Sequence, residues 1–593
     1  MVSLPELRDA QIDPLDAAAT AYDTLANNFK KHADDLNTQV LKHVFDGRWV
    51  GNAAGAANTA MQTTSTRLDA AHTELSCVSG LLREASESFR LAQSKLQEAL
   101  ADAKTDGFTV ADDGTVTWPP PSAAERHDPE YDTPQRGKAI ADRISHAVGE
   151  AANADQKISK ALDGLTQRAK TGAGLSLDNA AADQKSVTQL GTDLLNAGFP
   201  PEGAGATEVN SWWKGLTPDE QQRLIQAHPD LLGNRDGIPA AARNQANLLN
   251  LDHLTKEYEN KPDPSDADKQ KLEGFRAIRT KLDQAKTKEP PPVFLLAVSD
   301  EGQGRGCLSW GNPDTAKNVS AYVPGLGTKL SDVGGKDADR ARNVWQAAHN
   351  ADPTAETASM VWLGYDPPPG PLDGDPRTLE VMSGDRAQKG GANYDKFMGG
   401  LRATHEGAPA HLVALGHSYG STTVGMAATQ GGGTGADDII LVGSPGTGAD
   451  RASQLHIDPK HVWVGDAQND PVSHLPAKER VAADGTGAAI GAKLAGPLGA
   501  WTGGKVANEL YDDFGDTNDL WFGKDPAAKD FGANRFAVAD GAPLSFDSHS
   551  NYMEDPNMDT SKDPAKRDEL ESINNIGQIV AGKYDNVTKQ DGR

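Results

Sequence analysis

A hydroxyl, a carboxylate and an imidazole, in that chain order, are the side chains that acyl transfer through a serine nucleophile requires. Ser418 is the hydroxyl. It lies in Gly416-His417-Ser418-Tyr419-Gly420, with the apolar run His411–Leu415 before it and a helix-like stretch from Ser421 after it. Between a strand and a helix, a G-x-S-x-G pattern forms a nucleophile elbow. The serine must sit at a sharp, strained turn for its hydroxyl to project above a sheet. The flanking glycines leave room for that turn, and the helix N-terminus just beyond favours developing negative charge.

Two carboxylates compete for the acid, both after the apolar run Val462–Gly465. Asp470 precedes Pro471, which would hold it in an extended loop, and it is preferred. Asp466, nearer the strand, is the alternative, and would otherwise bond backbone in the turn. The base is expected at His549, on a loop after the last strand and the only histidine beyond His474. His474 is too close to Asp470 to circle back to Ser418, and His417 is expected to point away. An oxyanion hole needs two backbone N–H groups. Tyr419 should supply one. The other is expected from Tyr322-Val323-Pro324-Gly325-Leu326-Gly327-Thr328, at Leu326 first and Gly325 second, although a plain glycine-rich turn would read the same. No Gly-Lys-Ser/Thr follows, so this is not a phosphate loop.

Strand-length apolar runs alternate with helical stretches from about residue 290: Val293–Val298, Asn318–Val323, Met360–Gly364, His411–Leu415, Asp438–Val442, Val462–Gly465 and Phe536–Ala539. Asp337–His349, Asn393–His405 and Thr422–Thr429 are helix-like between them. That alternation predicts a mainly parallel sheet with helices on both faces, and chemistry at the carboxyl ends of its strands.

The first half is all-α. Leu15, Ala18, Tyr22, Leu25, Phe29, Ala33, Leu36 and Val40 recur every three or four residues. The rhythm resumes at Leu68, Ala71, Leu75, Val78, Leu82, Ala85, Phe89, Ala92, Leu96 and Ala99. These stripes predict a helical hairpin, with Trp49 folded over a turn between Gly47 and Gly51. An Asp113-Gly114 turn between alternating residues predicts a small β-hairpin over Gly107–Trp118. Trp212 and Trp213 are expected as core anchors. Three regions follow: a hairpin over 1–106, a mostly helical linker or cap over 107–290, and the catalytic domain over 291–593. Within the last, 476–533 is expected as a lid or a packed excursion, and Tyr365–Gly391 as a rim.

The 593 residues carry a formal net charge of −26, which repels phosphate backbones and anionic lipid surfaces and argues against nucleic-acid binding. Two cysteines, Cys77 and Cys307, supply neither a disulfide framework nor a Cys-rich metal site. No metal or organic cofactor is called for. There is no basic n-region followed by an apolar h-region at the start, and no run long enough for an integral membrane segment. The protein is expected in the cytoplasm, or exported without a Sec signal peptide.

Together, Gly325-Leu326-Gly327, the Ser418 elbow, Asp470-Pro471-Val472 and His549-Ser550-x-Tyr552 resemble an actinobacterial α/β-hydrolase family of long-unassigned function. That resemblance covers roughly residues 205–560 and implies Ser418 as nucleophile, Asp470 as acid and His549 as base. The N-terminal helices around Trp49 and Gly51 are similar to the Trp-x-Gly hairpins of type VII secretion proteins, over about residues 10–104. That family's export signal is Tyr-x-x-x-Asp/Glu, and no tyrosine in this chain has an acidic residue four positions on.

These residues point to a serine esterase or lipase-like hydrolase that cleaves a small-molecule ester or thioester through an acyl-enzyme. A secretion-associated interaction protein with an idle hydrolase domain is the rival reading. The hairpin stripes would serve it by binding a helical partner or a second copy.

Overall fold

A computed structural model describes residues 2–44, 49–121, 133–201, 203–286, 291–370, 384–470, 472, 519–541, 547–559 and 566–591. Two compact units emerge: Met1–Gly203 with Ser211–Arg223, and Ala204–Asn210 with Leu224–Arg593. No helix among the described residues is long and apolar enough to cross a membrane.

In the first unit, helix α1 (Asp13–Asp35) lies antiparallel on α2 (Asn52–Thr105). Ser79 Oγ donates to the Ala19 carbonyl at 2.9 Å, and Ser65 Oγ reaches that of Ala33 at 3.5 Å. Between them His72 Nδ1 lies 3.0 Å from the Ala26 carbonyl. Each step of seven up α1 is a step of seven down α2, a two-turn repeat. Ala19, Ala26 and Ala33 are buried, whereas Tyr22 and Leu25 of the expected stripe are 37% and 44% exposed. Short α2 side chains reach α1 carbonyls only if the backbones approach closely, so the methyl-bearing face turns inward. Trp49 is 44% exposed, and the turn residues 45–48 over which it was expected to fold lie outside the described residues.

Helices α3 (Thr133–Thr171) and α4 (Leu177–Ala197) complete the long elements of this unit. The expected β-hairpin forms from β1 (Thr109–Val110) and β2 (Val116–Thr117), with Gly114 at φ +87°. Trp212 and Trp213 are buried, and the Phe199 ring lies 4.8 Å from that of Trp212.

The second unit holds α5 (Ala240–Glu259), α6 (Asp266–Lys286) and, among the described residues, a mixed nine-stranded sheet. Its strands are β3 (Val293–Ser299), β4 (Arg305–Trp310), β5 (Asn318–Val323), β6 (Thr357–Leu363), β7 (His411–His417), β8 (Asp438–Val442) and β9 (Val462–Gly465). After the short hairpin β10 (Asp519–Leu520) and β11 (Gly523–Lys524) come β12 (Asn534–Phe536) and β13 (Lys589–Gln590). The order is β13-β12-β9-β8-β7-β5-β6-β4-β3. Pairing is parallel from β12 through β6 and antiparallel at both margins.

The mainly parallel sheet agrees with the sequence reading; β4 was not foreseen. Its Arg305, Gly306 and Ser309 break the apolar run that marks the other strands, yet from Gly306 to Trp310 it is buried. Around the sheet lie α7 (Lys336–Ala351), α8 (Asp385–Thr404), α9 (Tyr419–Ala428) and α10 (Lys566–Val580). Strand β5 pairs with the later strands β6 on one side and β7 on the other. The chain therefore switches direction across the sheet at β5, and a crevice opens at such a point beyond the strand ends.

Candidate active site

Ser418 follows β7 and caps α9 at φ +56° and ψ −133°. A positive φ at a non-glycine residue stores about 1–3 kcal/mol of strain and persists only where neighbours impose it. Here the Ser418 N–H donates to the Val442 carbonyl at 3.0 Å, and the Ser421 N–H donates to the Ser418 carbonyl at 2.9 Å. The elbow glycines are steric necessities. A Cβ on Gly416 would lie 2.5 Å from Ser421 Cα, and one on Gly420 would lie 2.1 Å from the Val323 carbonyl oxygen.

Asp470 and His549 meet. His549 Nδ1 lies 2.9 Å from both Asp470 oxygens. Val472 N–H donates to Asp470 Oδ1 at 2.9 Å, and the Tyr552 hydroxyl donates to Oδ2 at 2.7 Å. Burial alone would raise the Asp470 pKa; the His549 imidazole, then the Tyr552 hydroxyl and the Val472 amide, outweigh it and hold the carboxyl below its ordinary value. Asp466 points elsewhere: Arg535 Nη2 lies 3.8 Å from its Oδ2 and donates to its carbonyl at 2.9 Å. Gly443, directly after the Val442 that accepts from Ser418, packs against this pair. A Cβ there would lie 2.7 Å from Asp470 Oδ2 and 3.0 Å from His549 Nδ1. The serine and the His–Asp pair thus share one small region.

The loop after β5 faces the serine, because a Cβ on Gly325 would lie 2.7 Å from Ser418 Cβ and 3.1 Å from its Oγ. Thr328 Oγ1 donates to the Gly325 carbonyl at 2.8 Å. In a trans peptide the carbonyl and the next N–H point opposite ways. The Leu326 N–H is therefore turned away from Thr328. Neither it nor the Tyr419 N–H, at the start of α9, has a hydrogen-bond acceptor among the described residues.

Residues 300–480 match the model of a family described as alpha/beta hydrolase. The uncharacterized protein Rv2079 of Mycobacterium tuberculosis is 38% identical over 304 residues, which cover 47% of this chain and 45% of that one. The uncharacterized protein Rv0963c of the same organism is 33% identical over 213 residues, 35% of this chain and 76% of that one. The chain belongs to this α/β-hydrolase family. It spans less than half the length of Rv2079. No solved structure matches it significantly.

In this α/β hydrolase the loop carrying His549 is gripped along its length. Ser548 Oγ donates to the Asn469 carbonyl at 2.9 Å, Arg340 Nη2 to that of Ser550 at 3.1 Å, and Asn343 Nδ2 to that of Met553 at 3.0 Å. His417 does not point away, as expected, but places Nε2 2.7 Å from the His549 carbonyl oxygen. Burial, then the neighbouring His549 and Arg340, push its pKa well below the ordinary value, and Nε2 donates because its partner is a carbonyl. Sequence reasoning missed this tie because the partners are 132 positions apart. Tyr552 was more accessible to it. Three residues beyond His549, it falls one helical turn on, along the short helices Asp547–Ser550 and Asn551–Met553.

A strap after β6 braces the loop that faces Ser418. The Tyr365 hydroxyl donates to the Pro324 carbonyl at 2.7 Å, and Gly327 N–H donates to that of Pro368 at 2.9 Å. Arg305 anchors the strap through Asp366, with Nη2 2.9 Å from Oδ2. Residues 371–383 of the expected rim, and 476–518 of the expected lid, lie outside the described residues. At the end of that insertion, Trp521 and Phe522 are buried, and the Phe522 ring meets Tyr419 edge-on at 5.7 Å. Among the described residues, no group of three or more His, Cys, Asp or Glu could hold a metal.

Proposed function

We propose that the chain is a serine hydrolase that cleaves ester or thioester bonds through an acyl-enzyme. The observation that carries the reading is the His549–Asp470 pair at 2.9 Å, beside a serine held at φ +56°. Ser418 Oγ attacks the carbonyl carbon while His549 Nε2 takes its proton. Asp470, bonded to Nδ1, fixes the tautomer and stabilises the imidazolium. The Tyr419 and Leu326 amides receive the oxyanion. The alcohol or thiol leaves with the proton from His549, and water then cleaves the acyl-serine by the same route reversed. The test is turnover of p-nitrophenyl esters of graded acyl length by the full chain. Hydrolysis that Ser418→Ala abolishes supports the reading. Turnover that survives this substitution, or none at any length, contradicts it.

A further inference from the structure

The phenol of Tyr552, three residues beyond His549, takes no part in the proton transfer just described, yet it is fully enclosed at 2% exposure. Its hydroxyl oxygen accepts the Ala467 N–H at 3.0 Å and donates to Asp470 Oδ2 at 2.7 Å. Its one proton is thereby committed to the carboxylate. Asp470 Oδ2 thus faces two donors, Tyr552 and His549 Nδ1, while Oδ1 faces Val472 N–H and the same imidazole. The loop bearing His549 is held independently by Ser548, His417, Arg340 and Asn343. The hydroxyl is therefore not what keeps the loop in place. What remains for it is the carboxylate.

Resting on the hydrolase reading, we infer that Tyr552 is a positioning residue which sets how strongly Asp470 holds the His549 imidazolium. A hydrogen bond to a carboxylate spreads its charge and weakens it as a partner for the imidazolium. Removing that bond concentrates the charge, and Asp470 then holds the imidazolium more tightly. The Ala467 N–H also loses its acceptor. Among the described residues, other charged or titratable groups near the pair are His417 on β7, Asp337 and Arg340 on α7, Asp466 after β9 and Arg535 on β12. None is changed by the substitution.

The experiment measures the rate of Ser418 labelling by a fluorophosphonate in the full chain, from pH 5 to 9, for wild type and Tyr552→Phe. Phosphonylation needs the same base and oxyanion donors, so no substrate need be known. Wild type should label with a rate that rises through an acid limb. In Tyr552→Phe that limb should move up by about half a pH unit or more, with the neutral-pH rate down several-fold. Replacing Tyr552 by 3-fluorotyrosine, a stronger donor of nearly the same shape, should move the limb down. A limb that stays put in both variants overturns the inference and leaves the hydrolase reading standing, even if Tm falls. Absence of labelling in wild type overturns both.

Discussion

His417 Nε2 donates to the carbonyl of His549 across 2.7 Å, and the two imidazole rings lie 4.8 Å apart. The residue before the candidate nucleophile thereby holds the backbone of the candidate base. The partner of His417 is a carbonyl oxygen, which only accepts, so Nε2 carries the hydrogen in this tie. The elbow and the base loop form one rigid constellation, which a nucleophile and base that must stay within hydrogen-bond reach require. His417→Ala should lower the Ser418 labelling rate by roughly 10-fold or more, while His417→Gln, which keeps a donor, recovers part of the loss. Rates equal to wild type in both would contradict the tie.

The choice between the two carboxylates is open to a direct test. Asp470→Asn should keep the shape and lose the tautomer control, with kcat falling by roughly 10⁴-fold. Asp466→Asn, at the residue facing Arg535, should lose less than about 10-fold. The reverse ranking would reassign the acid.

Thr328 Oγ1 bonds the carbonyl of Gly325, the peptide that carries the Leu326 N–H proposed as an oxyanion donor. Thr328→Val keeps the volume but frees the Gly325 carbonyl, so the peptide can turn. We expect kcat to fall by roughly 10-fold or more with KM little changed, and Thr328→Ser to restore it. A drop in KM and kcat together, or no rescue by serine, would place Thr328 outside this role.

At the other ends of the strands, Asp438 gathers four donors. His461 Nδ1 and Trp463 Nε1 each lie 2.9 Å from Oδ1, while His411 Nε2 and the Tyr584 hydroxyl each lie 2.5 Å from Oδ2. Burial alone would lower the His411 pKa, but Asp438 outweighs it and the result is raised. The folded state therefore binds the proton more tightly than the unfolded state. That stabilisation is complete below about pH 6.5 and is lost as pH rises through the folded value. Asp438 itself is shifted down, against the opposing effect of burial, so its contribution is present above about pH 4 and is lost on acidification. The Tm advantage of wild type over His411→Gln should be greatest near pH 6 and shrink toward pH 9. A gap that does not change with pH would contradict the assignment.

The sequence made the central strands and the elbow legible because their signals are local. Asn318–Val323, Asp438–Val442 and Val462–Gly465 are apolar runs buried on both faces, and each forms the strand with those bounds. Chain order led to His549 for the base and left Asp466 and Asp470 for the acid, between which Pro471 favoured Asp470. Other features depend on contacts that no local pattern encodes. Helix α8 begins at Asp385 rather than near Asn393 because Gly390 and Gly391, poor helix formers, allow close packing. A Cβ on Gly391 would lie 2.8 Å from the Ala427 amide nitrogen in α9. Along α1 the apolar rhythm identified the helix but not its inward face, which the seven-residue spacing of Ala19, Ala26 and Ala33 settles.

The central claim is that Ser418 is an activated nucleophile, and covalent capture tests it most directly. The full chain would be treated with a fluorophosphonate at neutral pH, digested, and mapped by mass spectrometry beside Ser418→Ala. One stoichiometric adduct is expected, on the peptide containing Ser418 and absent from the variant. An unmodified Ser418 peptide in a folded protein, or an adduct that persists in Ser418→Ala, would contradict it.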